Sequence, residues 1–134
     1  MDSFITITGN LTREPEIRFN DQGMQITKFA VATTRKLKSG DEQTSFYDVV
    51  SFGRTAENIA NSLSKGSRVL VSGRLEVRNY EKQDGTRGTA VEVVAEEVGA
   101  SLRFAQVGIT RNEKVGAGAP AGSSTSNEHD YSSF

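Results

Sequence analysis

Once along this chain the spacing of apolar residues changes from that of strands to that of a helix. Ala56, Ile59, Ala60 and Leu63 stand at i, i+3, i+4 and i+7, one face of a helix of about two turns, and Gly66 is placed to cap its end. The flanking segments are β-branched and aromatic, or alternate in polarity, as strands do. Residues 4–12 read as a first strand that stops near Pro15, which lacks a backbone donor. Residues 17–19 form a short extended piece before the turn at Asn20-Asp21-Gln22-Gly23. A second strand covers 25–34, with Phe29 and Val31 on one face. After the loop at Lys38-Ser39-Gly40-Asp41 a third runs over 45–52 and stops at Gly53. Beyond the helix a fourth covers 67–80, with Gly73 at a bulge or bend. Gln83-Asp84-Gly85-Thr86 is a hairpin signal, and the fifth strand covers 86–98.

Five strands with one short helix between the third and fourth is the element order of an OB-fold, a partly open Greek-key barrel. The fold class is therefore all-β, with an OB-fold domain over residues 1–104. From Val115 to Ser126 the composition is Gly, Ala and Ser-rich, unable to bury enough apolar surface to offset ordering, so residues 105–134 read as a flexible tail.

Enzyme chemistry finds little to work with here. The chain has no cysteine, which removes disulfides, zinc-thiolate sites and thiol nucleophiles, and its one histidine, His129, lies in the tail where nothing rigid would hold it. There is no Gly-x-x-x-x-Gly-Lys-Ser/Thr loop for phosphates and no carboxylate spacing that specifies a metal. No catalytic residue, cofactor or metal is expected. The first residues lack a basic leader with an apolar run, and no segment has the roughly 20 apolar residues of a membrane span, so the reading is a soluble cytoplasmic protein.

The stretch from Glu42 to Tyr80 carries the functional signal. It mixes aromatic residues with arginines, which suits single-stranded nucleic acid: rings stack on bases and cations take phosphates. Net charge is only −1, so placement must provide the basic face. Basic residues concentrate between Arg54 and Arg87, with a second group at Arg35, Lys36 and Lys38, while acids such as Glu92, Glu96 and Glu97 gather elsewhere. In the fourth strand Leu75 and Val77 point one way, and Arg74, Glu76, Arg78, Tyr80 and Lys82 the other. In the third, Phe46, Asp48, Val50 and Phe52 share one face and Tyr47, Val49 and Ser51 the other; periodicity leaves open which of the two is core. The plainer alternatives are aromatics packed inside a small barrel and arginines on a solvated face paired with Glu76 or Glu92.

These residues resemble the bacterial single-stranded DNA-binding proteins. The resemblance covers about residues 3–104. It rests on Gly9-Asn10-Leu11 with Pro15-Glu16-Ile17-Arg18-Phe19, on Glu42 to Phe46 running into Val49-Val50-Ser51-Phe52-Gly53, on Ala56-Glu57, and on Lys65-Gly66-Ser67 leading to Gly73-Arg74-Leu75. It implies an OB-fold that assembles as a homotetramer, binds single-stranded DNA in replication, recombination and repair, and is associated with the nucleoid. It also implies that Phe46, Phe52 and Tyr80 stack bases, that Tyr47 faces inward, and that Arg35, Lys36, Arg54, Arg74, Arg78 and Arg87 contact the backbone.

The chain departs from the family pattern in three ways. It has no tryptophan, the loop from Arg35 to Asp41 lacks an aromatic, and the tail keeps Phe134 without dense acid before it. Phe134 is thus the one candidate partner-binding residue. The missing acid weighs against recruitment of DNA-processing proteins through the tail and fits a specialised form of the family. A module for single-stranded RNA, or an OB-fold used for protein contacts, stands as the alternative.

Overall fold

The computed structural model describes residues 2–113. Its elements are β1 (Ser3–Leu11), β2 (Glu16–Phe19), β3 (Gln25–Lys36), β4 (Glu42–Phe52), α1 (Gly53–Ser62), β5 (Arg68–Glu81) and β6 (Arg87–Ala100). The strands are ordered β1-β5-β6-β4-β3-β2, and β1 also pairs with β3. That extra pairing closes β1, β5, β6, β4 and β3 into a ring, the five-stranded OB barrel, in which β4 and β6 are the parallel pair. The short extended piece is the sixth strand: β2 lies outside the ring on the first residues of β3, whereas β1 takes Val31 and Ala32 further along. Asn20 sets up the turn between β2 and β3, its Oδ1 accepting the backbone N–H of Gln22 and Met24, both at 2.9 Å.

The odd-numbered residues of β3 and β4 fill the ring. Phe29, Val31 and Val49 are almost wholly buried with Ile7, Val71 and Val93 from the other strands, and α1 closes one end with Ala56, Ile59 and Leu63. Two buried hydroxyls fasten helix to sheet: Thr27 Oγ1 donates to the carbonyl of Ala56 at 2.8 Å and Ser51 Oγ to that of Thr27 at 3.2 Å. Each polar group is therefore satisfied where burial would otherwise penalise it.

Three local readings change. Gly66 does not cap the helix, which ends at Ser62 because Leu63 turns extended to drop its side chain into the core; Gly66 lies in the following turn and donates its N–H to the carbonyl of Leu11 at 2.9 Å. Gly73 does mark a register shift, but the extra residue is on the opposite strand. Ser72 faces Glu97 and Gly73 faces Ala95, so Glu96 is the bulged residue, and a side chain on Gly73 would run into the Val94 carbonyl. Val77 shares the inward face with Leu75 yet is 59% exposed, because the β5–β6 hairpin outruns the core. Beyond Ala100 the described chain has no regular secondary structure. Asn112 nonetheless accepts a hydrogen bond from Asn58 of α1 at 2.7 Å.

Candidate nucleic-acid interface

Register decides which face of each strand looks outward. In β3 and β4, Phe29 faces Val49 and Val31 faces Tyr47 on the inside, so the even-numbered pairs, Ala32 with Phe46, Ala30 with Asp48, Lys28 with Val50 and Ile26 with Phe52, lie on the opposite face, where Ala30 and Val50 are themselves covered. Phe46 is 69% exposed and Phe52 45% exposed, large costs in unburied apolar area unless a ligand covers them. Tyr47 is half-buried and packs against the core.

The outer face continues into β6 and β5, where Val50 faces Val94 and Val94 faces Arg74. Further along the hairpin, Ala90 faces Arg78 and Gly88 faces Tyr80. Tyr80 is about half exposed. The end of its ring passes so close to Gly88 that a side chain there would have to displace it. The turn that aligns these strands is held by Asp84, whose Oδ1 accepts Thr86 Oγ1 at 2.6 Å and the Thr86 backbone N–H at 3.0 Å; these bonds lower the carboxyl pKa. Phe46, Phe52, Tyr80, Arg74 and Arg78 thus share one continuous sheet surface.

The remaining sequence-derived candidates lie around it. Lys36 faces Glu42 at the tip of the β3–β4 hairpin, on the same side as Phe46. Arg35 is on the reverse side, donating to Gln43 Oε1 at 3.0 Å, and Arg87 sits opposite Glu81 on the reverse side of the β5–β6 hairpin. Arg54 is exposed in the first turn of α1. Phe134 and His129 lie outside the described residues.

The charge pattern differs from the expected segregation of acids. Glu76 faces Glu92 and Glu92 faces Asp48, so three carboxylates cross β5, β6 and β4 in one row of the same outer face. The parallel pairing of β4 with β6 causes this, and sequence spacing carries no sign of it. Arg74 is bound to that row: its guanidinium donates to Glu76 Oε2 at 2.6 and 3.2 Å, and the hydrogen bond and the charge of Glu76 raise its pKa. Lys28, on β3 between Val50 and Glu16, is an outward cation that alternation along residues 25–34 could have revealed. Gly88 could not be found that way, since its role is to leave room.

The model of the Single-strand binding protein family matches residues 3–101, which takes in the whole ring and its outer face. The chain is 38% identical over 130 residues to a single-stranded DNA-binding protein of Paenarthrobacter aurescens, covering 90% of this chain and 76% of that one. It is 40% identical over 121 residues to one of Mycolicibacterium smegmatis, covering 86% and 73% respectively. To one of Mycobacterium tuberculosis it is 39% identical over 121 residues, covering 86% and 74%. With the ring, the helix that closes it and the exposed aromatic surface all inside the matched span, the chain belongs to the single-strand binding protein family.

Proposed function

We propose that the protein binds single-stranded DNA without reading its sequence, and so coats and protects unwound DNA in replication, recombination and repair. One observation carries the reading: Phe46, Phe52 and Tyr80 stand exposed together on one face of the barrel. Bases stack on such rings regardless of identity, each worth about 1–3 kcal/mol. Phosphates are met by Arg78 and Lys36 on that face, by Arg54 beside it, by Arg74 once Glu76 releases it, and by Arg35 and Arg87 around the hairpin edges. The protein is a binder and not an enzyme, as its family is. Trapping the unpaired strand melts hairpins by mass action.

Assembly as a homotetramer is supported by β1, which pairs with β5 along Ser3–Asn10 but with β3 only at Asn10 and Leu11, leaving a long free edge. Residues 1–104 are the binding domain in this reading, the chain from about 105 onward is dispensable for DNA, and the protein works in the cytoplasm at the nucleoid. Among the described residues no helix is long and apolar enough to cross a membrane.

Titration of end-labelled oligo(dT) of several lengths against salt tests the function, the label being needed because tryptophan is absent. Affinity should fall with salt at about −0.7 log units per phosphate contacted and greatly exceed that for duplex of equal length. Equal affinity for duplex overturns the reading, and preference for poly(U) over poly(dT) turns it toward RNA.

A further inference from the structure

We propose that Arg68, Phe104 and Arg103 form a second contact station for single-stranded DNA, reached from Phe46 across the seam of the barrel; the proposal rests on the DNA-binding reading above. Four residues in cross-strand register lay out the route. Phe46 faces Ala32, Ala32 faces Asn10, and Asn10 faces Arg68, so one outer row runs from β4 over β3 and β1 to the start of β5. At about 4.8 Å per strand the row is roughly 14 Å long. Nothing large stands in it: Ala32 is small, and Asn10 is tied down by donating Nδ2 to the Gly66 carbonyl at 3.0 Å.

At the far end the chain leaving β6 comes back to Arg68, because the Ser101 N–H donates to the Arg68 carbonyl at 2.9 Å. That places Arg103 and Phe104 beside it. The guanidinium carbons of Arg68 and Arg103 lie 5.4 and 5.2 Å from the centroid of the Phe104 ring, within cation–π range, while the Phe104 residue stays 73% exposed. Among the described residues neither Arg68 nor Arg103 has an ion-pair partner. Arg68 Nε is buried with no hydrogen-bond acceptor. Two like charges gathered on one ring repel, and an anion between them relieves that repulsion. Guanidinium forks match phosphate oxygens, and an exposed ring or guanidinium plane stacks a base.

The centre of the sheet argues for the same route. A backbone leaving Phe46 toward β6 meets Asp48, Glu92 and Glu76, whereas one leaving toward β3 and β1 meets Ala32, Asn10 and then two arginines. The phosphates take the side without carboxylates. Exposed Leu102 next to Phe104 gives the rival occupant, a second copy of this chain.

The test compares full-length wild type with Arg103→Ala/Phe104→Ala by labelled oligo(dT) titration at several lengths and salt concentrations, with sedimentation of the free proteins. Loss of roughly ten-fold in affinity for long oligonucleotides, little change for the shortest that bind, a salt slope shallower by about 0.7 to 1.4, and unchanged mass support the station. Arg103→Glu alone, on an exposed side chain outside any strand, gives the same reading if the double variant melts early. Unchanged affinity and slope at every length overturn the proposal while leaving the DNA-binding function intact. A change in mass without one in DNA binding overturns it in favour of a copy-to-copy contact, and failure of wild type to bind oligo(dT) overturns both.

Discussion

The ring of Tyr80 lies across the backbone of Gly88: a methyl group built on Gly88 would come within 2.5 Å of Tyr80 Cζ and 2.7 Å of its hydroxyl oxygen. The missing side chain lets the end of the ring approach the β6 backbone while Tyr80 stays about half exposed. A flat, supported ring stacks a base with less ordering cost than one that swings freely. Tyr80→Ala should weaken oligo(dT) binding by about 1–3 kcal/mol, and Gly88→Ala should reproduce part of that loss by lifting the ring. In a Tyr80→Ala background Gly88→Ala should add almost nothing, so a double-mutant cycle by labelled-DNA titration separates positioning from general damage.

Phe46 and Phe52 should separate in their effects on stability. Phe46→Ala should cost about 1–3 kcal/mol of DNA affinity and leave the melting temperature nearly unchanged, because the residue is mostly solvent-exposed. Phe52 faces Ile26 and immediately precedes α1, so Phe52→Ala should reduce affinity by a similar amount and also lower the melting temperature. Calorimetry alongside the titration reads both.

The carboxylate row should act as a brake on binding. Asp48→Asn removes a negative charge on the exposed centre of the DNA-facing sheet and should tighten oligo(dT) binding by roughly two- to five-fold near 0.1 M salt, with the gain shrinking as salt rises. Unchanged binding by this variant would show that DNA avoids that part of the sheet, and weaker binding that Asp48 is structural.

Glu76→Gln should release Arg74 from its 2.6 Å ion pair and make it available to a phosphate. The expected signature is a salt slope steeper by about 0.7 together with higher affinity at low salt.

Gly73→Ala should destabilise the barrel without touching the aromatic face. The added carbon would overlap the carbonyl oxygen of Val94, backbone that cannot move without disturbing the β5–β6 ladder. A cost of about 1–3 kcal/mol is expected, read as a drop in melting temperature of roughly 4–8 °C per kcal/mol.

The helix, the five ring strands and the outward face of Tyr80 could be read from the chain because each depends on local periodicity: Ala56 to Leu63 repeat at helical spacing, and Leu75 alternates with Arg74 and Glu76. The face of β4 was beyond the reach of periodicity, since Phe46 and Tyr47 are both aromatic; the family resemblance implied it, and pairing with β3 sets Tyr47 against Val31. The bulge at Glu96 was hidden for a related reason. Inward residues step from Val93 and Ala95 to Val98, a slip of one that looks like irregular alternation until Gly73 is set against it. Nor could the chain order show Glu92 beside Asp48, because residues far apart in sequence meet there through a parallel pairing.

Two closures in the ring are short: β4 meets β6 over Asp48 to Val50, and β1 meets β3 over fewer residues still. β3 and β4 pair from Ile26 to Lys36 and β1 pairs with β5 from Ser3 to Asn10, but β1 meets β3 only where Asn10 faces Ala32 and Leu11 faces Val31. A barrel sealed at so short a seam opens there first, and amide exchange near Leu11 and Val31 should outpace that of the long ladders. The row from Phe46 to Arg68 crosses that seam. A strand of DNA held at both ends of the row therefore bridges the barrel's thinnest join, so that occupancy by ligand and closure of the fold become one linked equilibrium.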